Sequence, residues 1–159
     1  MSRTEARRKI CLASSVGGHL QEILQLLPVY EQYPHFYIVN DRIGLPEPMR
    51  GRTYFIRHSE RDALFFWNIW EAFRVFRRER PTHLISTGAG LAVPLGLVAR
   101  ALGIKVMFIE TFAAIHRPTL SGRLLYWIAN RFVYQWSYLR DYYPAAQYAG
   151  TIFDIRLSR

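Results

Sequence analysis

The stretch KICLASSVGGHLQEILQL, residues 9–26, decides the fold. Lys9 to Ala13 is a compact apolar run, and Ser14-Ser15-Val16-Gly17-Gly18 follows as a small, flexible segment. Leu20, Ile23, Leu24 and Leu27 then recur on one helical face. The order is strand, glycine turn, helix.

The same grammar continues outward. His35 to Val39 reads as a second strand, and Asp41 to Arg52, with Gly44, Pro46, Pro48 and Gly51, as a loop. Thr53 to Arg57 reads as a short strand and Asp62 to Arg78 as a helix closed by Pro81. His83 to Ser86 is a strand entering a second small-residue turn, Thr87-Gly88-Ala89-Gly90. Leu91 to Leu102 is an apolar helix stopped by Gly103, and Ile104 to Ile109 is a strongly apolar strand. A polar loop runs from Glu110 to Ser121, followed by a helix over Gly122–Asn130, a strand over Phe132–Gln135 and a short aromatic tail. Continuous apolar strands alternating with helices predict a parallel sheet covered on both faces. With no repeat or linker, residues 1–159 are expected to form a single α/β domain, Rossmann-like, with helices on both faces.

Composition bounds the function. Half of the 159 residues are hydrophobic and 15% aromatic, which excludes disorder. Lys and Arg number 21 against 12 Asp and Glu, and the net charge of +9 favours an anionic partner. Charge alone does not choose among nucleic acid, a phosphorylated ligand and an anionic membrane. The single cysteine, Cys11, lies in an apolar run and is expected to be a buried small hydrophobe in a reducing cytoplasm. The basic start MSRTEARRK runs straight into a strand, so no signal peptide is expected. No uncharged stretch approaches the ~20 apolar residues that span a bilayer.

In an open parallel sheet, ligands sit beyond the carboxyl ends of the strands. Three loops meet that condition: Ser14 to His19, Ser86 to Gly90 and Glu110 to Ser121. In the first, Ser14, Ser15, Gly17 and Gly18 precede a helix start that suits a phosphate or oxyanion, although many α/β domains turn this way for geometry alone. Thr87, Gly88, Ala89 and Gly90 repeat that chemistry. His19 opens the first helix, where the positive helix end favours a neutral imidazole able to accept a proton; the alternative is a histidine that only shapes the loop. Glu110 ends the most apolar strand, where an unpaired carboxylate is costly, so it is either a base or the partner of a cation such as Arg117. His116 and Arg117 share that loop as ligand-binding candidates. No Cys/His cluster or carboxylate set has metal-ligand spacing, and no cofactor is called for.

The helix carrying Phe65, Phe66, Trp67 and Trp70 is aromatic nearly all round, so one buried face cannot absorb it. Arg74 and Arg77 follow. An apolar patch edged with arginine fits an anionic membrane surface, or else a protein interface.

The motifs SSVGGHLQEILQL, STGAGLAVPLGLVARALGIKVMFIET and RPTLSGRLLYWIANRFVYQW, with YPAAQYAG after them, resemble the acceptor-side subunits of bacterial polysaccharide glycosyltransferases of the PssD and CpsF type. They are also similar to the membrane-recruiting subunit of the eukaryotic enzyme that adds the second N-acetylglucosamine to dolichol diphosphate. That family is related to MurG, whose GT-B fold has two Rossmann-like halves, so the resemblance implies an N-terminal half alone. It implies that a separate C-terminal-half partner binds the UDP-sugar. This chain would then bind a polyprenyl-diphosphate-linked saccharide on the cytoplasmic face of the inner (plasma) membrane, as a peripheral protein. The eukaryotic relatives carry an N-terminal transmembrane helix, and peripheral attachment through the aromatic helix and basic residues is expected to take its place here.

On that resemblance the expected reaction is an inverting transfer from a UDP-sugar to an undecaprenyl-diphosphate-linked saccharide, in exopolysaccharide or capsule synthesis, with glucuronic acid or galactose foremost as the sugar and N-acetylglucosamine left open. The expected base is His19, with Glu110 second. The rival is a non-catalytic membrane-docking subunit that recruits a catalytic partner. Nucleic acid is set aside, because the aromatics cluster in one helix instead of spreading through a basic groove.

Overall fold

The computed structural model describes residues 8–40, 46–56, 64–88 and 90–153. Among the described residues, seven strands form one sheet: β1 (Ile10–Ala13), β2 (His35–Val39), β3 (Thr53–Phe55), β4 (His83–Ser86), β5 (Lys105–Ile109), β6 (Arg131–Tyr134) and β7 (Gln147–Tyr148). The α-helices described between them are α1 (Gly18–Gln25), α2 (Leu27–Tyr30), α3 (Leu64–Glu79), α4 (Ala92–Ala101) and α5 (Leu120–Ile128). Every pairing is parallel, in the order β3-β2-β1-β4-β5-β6-β7. All four residues of β1 are buried, which is why that strand is apolar throughout instead of alternating.

The two faces of the sheet have separate cores. Ile10, Leu12, Leu20, Ile23, Tyr30 and Tyr37 pack together beneath α1 and α2. Cys11, Ala13, Phe36, Ile38 and Leu84 pack against Ala72 and Phe76 of α3 and Leu95 of α4. Cys11 is fully buried, and burial raises its thiol pKa well above the usual range. Leu125 of α5 joins Phe108, Phe132 and Tyr143 in a further cluster, so α5 lies beside α4.

β2 and β4 match their expected limits to the residue. The other differences have local causes. The last helix begins at Leu120, two residues early, because Thr119 caps it: its Oγ1 accepts from the Gly122 amide at 2.9 Å. β7, read as part of the tail, is two residues long and too short to show a pattern. Glu47–Met49 and Ser137–Leu139 are single 3-10 turns. Of the expected segments, residues 41–45, Arg57, Asp62 and Ala63 lie outside the described residues.

The strand order reverses between β1 and β4, where Ala13 stands opposite Ser86. A crevice opens there, beyond the carboxyl ends of both strands. The first two glycine loops leave from those two ends.

Candidate functional site

Gly17 opens α1 with φ at 102°, a left-handed conformation that favours glycine, and the Gln21 amide bonds back to its carbonyl at 3.1 Å. This turn sends His19 across the switch point. Its Nδ1 lies 3.0 Å from the Thr87 carbonyl oxygen, and the Thr87 hydroxyl donates to the His19 carbonyl at 2.8 Å. A carbonyl can only accept, so Nδ1 carries a hydrogen, and in the neutral ring Nε2 is left as an acceptor. Gly88 forms the seat of the ring: a Cβ there would fall 2.9 Å from His19 Cε1, and the φ of 124° is itself unfavourable for other residues. Two of the three expected loops therefore meet through His19, Thr87 and Gly88.

Ser14 is buried beside them and its Oγ has no partner, while Ser15 is half-buried. Gly18 and Gly90 are exposed, and Ala89 lies outside the described residues. Gly17, Gly18 and the unpartnered Ser14 hydroxyl are what the first loop offers to a ligand.

The structure does not bring the Glu110 carboxylate into the crevice with His19. Glu110 is fully buried. Its Oε1 accepts from the Thr119 hydroxyl at 2.8 Å and the Thr111 amide at 3.1 Å, and its Oε2 from the Tyr143 hydroxyl at 2.5 Å and the Thr119 amide at 3.3 Å. Burial, followed by the bond to Glu110, pushes the Tyr143 hydroxyl pKa far up. Hydroxyls and amides, rather than Arg117, compensate this carboxylate. Glu110 thereby ties the end of β5 to the head of α5. His116 and Arg117 sit on the outer, exposed part of the same loop, with the His116 ring 4.7 Å from Tyr138.

The carboxylate closest to His19 is Glu22, which the sequence reading passed over. Its Oε1 is 3.9 Å from His19 Nδ1. It accepts from the Thr111 hydroxyl at 2.6 Å, the Phe112 amide at 3.1 Å and the Gln135 amide at 2.8 Å. Burial raises its pKa, and the bonds from Thr111, Phe112 and Gln135 offset part of that rise. Gln135 also donates to the Glu110 carbonyl at 3.0 Å and accepts from the Ile152 amide at 2.8 Å. Glu22 thus joins α1 to the third loop. The legible signal was a carboxylate three residues after His19 and directly before the apolar Ile23.

On α3, Phe66, Trp67, Trp70 and Phe73 are 74, 45, 46 and 45% exposed. Phe65 departs from the expectation, since it is half-buried and packs against the core cluster that contains Phe132. The Arg74 guanidinium lies 4.6 Å from the Trp70 ring and that of Arg77 6.0 Å from Phe73. Leu97 of α4 and Leu120, Leu124 and Trp127 of α5 are also exposed, Trp127 at 85%. α4 packs against both α3 and α5, so exposed apolar side chains occur on three neighbouring helices. Among the described residues, no helix is long and apolar enough to cross a membrane.

The family model described as "Oligosaccharide biosynthesis protein Alg14 like" matches residues 56–152. UDP-N-acetylglucosamine transferase subunit ALG14 of Homo sapiens is 25% identical over 177 residues, covering 90% of this chain and 82% of its own length. The Mus musculus subunit of the same name is 28% identical over 183 residues, covering 93% and 84%. Among solved structures, MurG of Acinetobacter baumannii superposes with a TM-score of 0.70 at 17% identity, over 91% of this chain and 45% of its own. UDP-N-acetylglucosamine 2-epimerase of Rickettsia bellii gives 0.71 at 10% identity, over 91% and 45%. The chain spans about half the length of these two structures, whose likeness shows the fold alone.

Proposed function

The chain belongs to the Alg14-like family of oligosaccharide biosynthesis proteins, and from that premise we propose that it is the membrane-docking, acceptor-side subunit of a glycosyltransferase whose chemistry is completed by a partner. The observation that carries this reading is the exposed apolar face of α3, α4 and α5 edged by Arg74 and Arg77, on the same small domain as a polar crevice. Such a face matches the interfacial zone of an anionic bilayer. The crevice would take the diphosphate of a polyprenyl-linked saccharide, with the amides of the first glycine loop and the Ser14 hydroxyl as donors. The partner would bring the UDP-sugar. The curated relatives are named for UDP-N-acetylglucosamine, so that sugar replaces glucuronic acid and galactose as the proposed donor. Nothing in the relatives' names supports exopolysaccharide or capsule as the product.

One observation favours a second reading in which this subunit also takes the acceptor proton. His19 Nδ1 is committed to Thr87, which leaves Nε2 as an acceptor on a ring that is 28% exposed. Glu110 is no longer the alternative base, because hydrogen bonds enclose both of its oxygens.

The experiment is turnover of a UDP-N-acetylglucosamine donor on a polyprenyl-diphosphate acceptor, with and without the partner subunit. Docking alone predicts that His19→Ala keeps most of the activity of the complex, while Trp67→Ser with Trp70→Ser abolishes it on vesicles. A catalytic His19 predicts a loss of roughly two to four orders of magnitude in the Ala variant. Robust transfer by this chain alone would refute the division of labour.

A further inference from the structure

At the amino end of the sheet, opposite the crevice, the structure holds a pocket of about 580 Å³. Lys9, His35, Arg52, Tyr54, Arg78 and Glu79 contribute to its wall. The charges do not cancel. Glu79 is occupied by the Lys9 ammonium and the Tyr54 hydroxyl, which together hold its carboxyl below the usual range. Arg52 and Arg78 are exposed, and neither forms an ion pair among the described residues. Two guanidiniums therefore face a cavity with no uncompensated carboxylate.

A ladder on α3 leads into this pocket. Trp67, Trp70, Arg74 and Arg78 follow one another at helical spacings of three and four residues, so they lie in one row along the helix. The Trp67 and Trp70 rings are 5.1 Å apart, Arg74 lies 4.6 Å from Trp70, and Arg78 lies 5.9 Å from the Tyr54 ring. The row begins apolar and ends basic, which is the polarity profile from acyl chains to headgroups.

We propose that the pocket bounded by Arg52, Arg78 and Tyr54 is a binding site for the phosphate of an anionic phospholipid headgroup, engaged when α3 lies on the bilayer. The guanidinium fork suits a phosphate, which it can bind through two hydrogen bonds at once. This inference rests on the membrane reading of α3, and the pocket adds a defined headgroup contact to a surface otherwise held by apolar area.

The test uses the full chain and flotation on two kinds of vesicle: phosphatidylcholine alone, and equimolar phosphatidylcholine and phosphatidylglycerol. Arg52→Gln with Arg78→Gln should weaken binding to the anionic vesicles by roughly 30-fold, from about a fivefold effect per arginine at a charged surface. A charge-matched pair on the other half of the sheet, Arg131→Gln with Arg140→Gln, should change it by less than about threefold if the pocket, rather than net charge, decides. Thermal melting of every variant checks the fold, and Arg52→Lys with Arg78→Lys should restore part of the binding. Equal losses from both Gln pairs would reduce the effect to net charge and overturn the site. If glycerol 1-phosphate in solution binds through Arg52 and Arg78 while the Gln pair leaves vesicle binding unchanged, the ligand is a soluble phosphoester and the lipid assignment falls. Trp67→Ser with Trp70→Ser separates the two inferences. If it abolishes flotation and the arginine pair does not, the membrane face stands and the pocket fails. If the wild type does not float at all, the membrane face itself is wrong.

Discussion

A methyl group on Gly122 would lie 1.9 Å from Oε2 of Glu110 and 2.5 Å from the Tyr143 hydroxyl. The first turn of α5 is therefore pressed against a buried carboxylate, and the only residue that fits between them has no side chain. Gly122→Ala must either displace that carboxylate from Thr119 and Tyr143 or shift the helix. Its expected cost is about 2–4 kcal/mol, combining overpacking with broken buried hydrogen bonds. Urea unfolding measures it, and a loss below about 0.5 kcal/mol would mean that the enclosure of Glu110 is loose.

Gly88→Ala probes the crevice instead of the core. The added Cβ would meet Cε1 and Nδ1 of His19, at 2.9 and 3.0 Å, on a backbone with φ at 124°. The expected result is a destabilisation of about 1–3 kcal/mol with the imidazole turned away from Thr87. The His19 ring signals in a proton–nitrogen NMR spectrum should move, whereas those of His35, bonded to the Tyr33 carbonyl at 2.8 Å, should not.

Glu22 sets a pH dependence whose sign follows from its environment. Burial raises its carboxyl pKa above the ordinary 4.5, so the folded state holds its proton more tightly than the unfolded chain does. The corresponding stabilisation is complete below the unfolded pKa and is lost as pH rises through the folded one. Glu22→Gln, which cannot ionise, should lack this loss. The difference in melting temperature between the Gln variant and the wild type should therefore shift in the variant's favour as pH rises from about 4 through the raised value. Titrating groups away from Glu22 contribute to both proteins alike, and the same comparison in a His19→Gln background removes the contribution of its neighbour, so a flat difference there would show that burial does not perturb Glu22.

Trp127 offers a test of how far the apolar face extends. It is 85% exposed, so Trp127→Ser should change stability by no more than about 0.5 kcal/mol. Combined with Leu124→Ser, it should lower vesicle co-sedimentation as strongly as the change of Trp67 and Trp70. Unaltered sedimentation would confine the membrane contact to α3.

The contrast between what was readable and what was not follows the range of each interaction. β1, β4 and their glycine turns could be read because a strand buried on both faces writes a continuous apolar run, and a tight turn writes its glycines. His19 was visible for the same local reason. The fate of Glu110 was not, because its four donors come from Thr111, Thr119 and Tyr143, and a hydroxyl 33 residues away leaves no periodic trace. Glu22 was missed because helical periodicity marks leucines and isoleucines as inward and treats a glutamate among them as solvent-facing. Phe65 was read with its neighbours as an exposed aromatic, yet it is half-buried and packs against the core cluster that α4 and α5 share.

The bond between His19 and Thr87 joins residues 68 positions apart. A chain emerging from the ribosome therefore exposes all of α3, with Phe66, Trp67, Trp70 and Phe73, before the residue that completes the crevice has emerged. β1, an interior strand of the sheet, must wait for β4 to gain its second neighbour, with Ile10 to Ala13 pairing with residues 83–86. Such distant parallel pairing is slow to form compared with helices. The aromatic row is thus available to a lipid surface or a chaperone while the ligand site does not yet exist, so attachment would precede competence in the order of biogenesis.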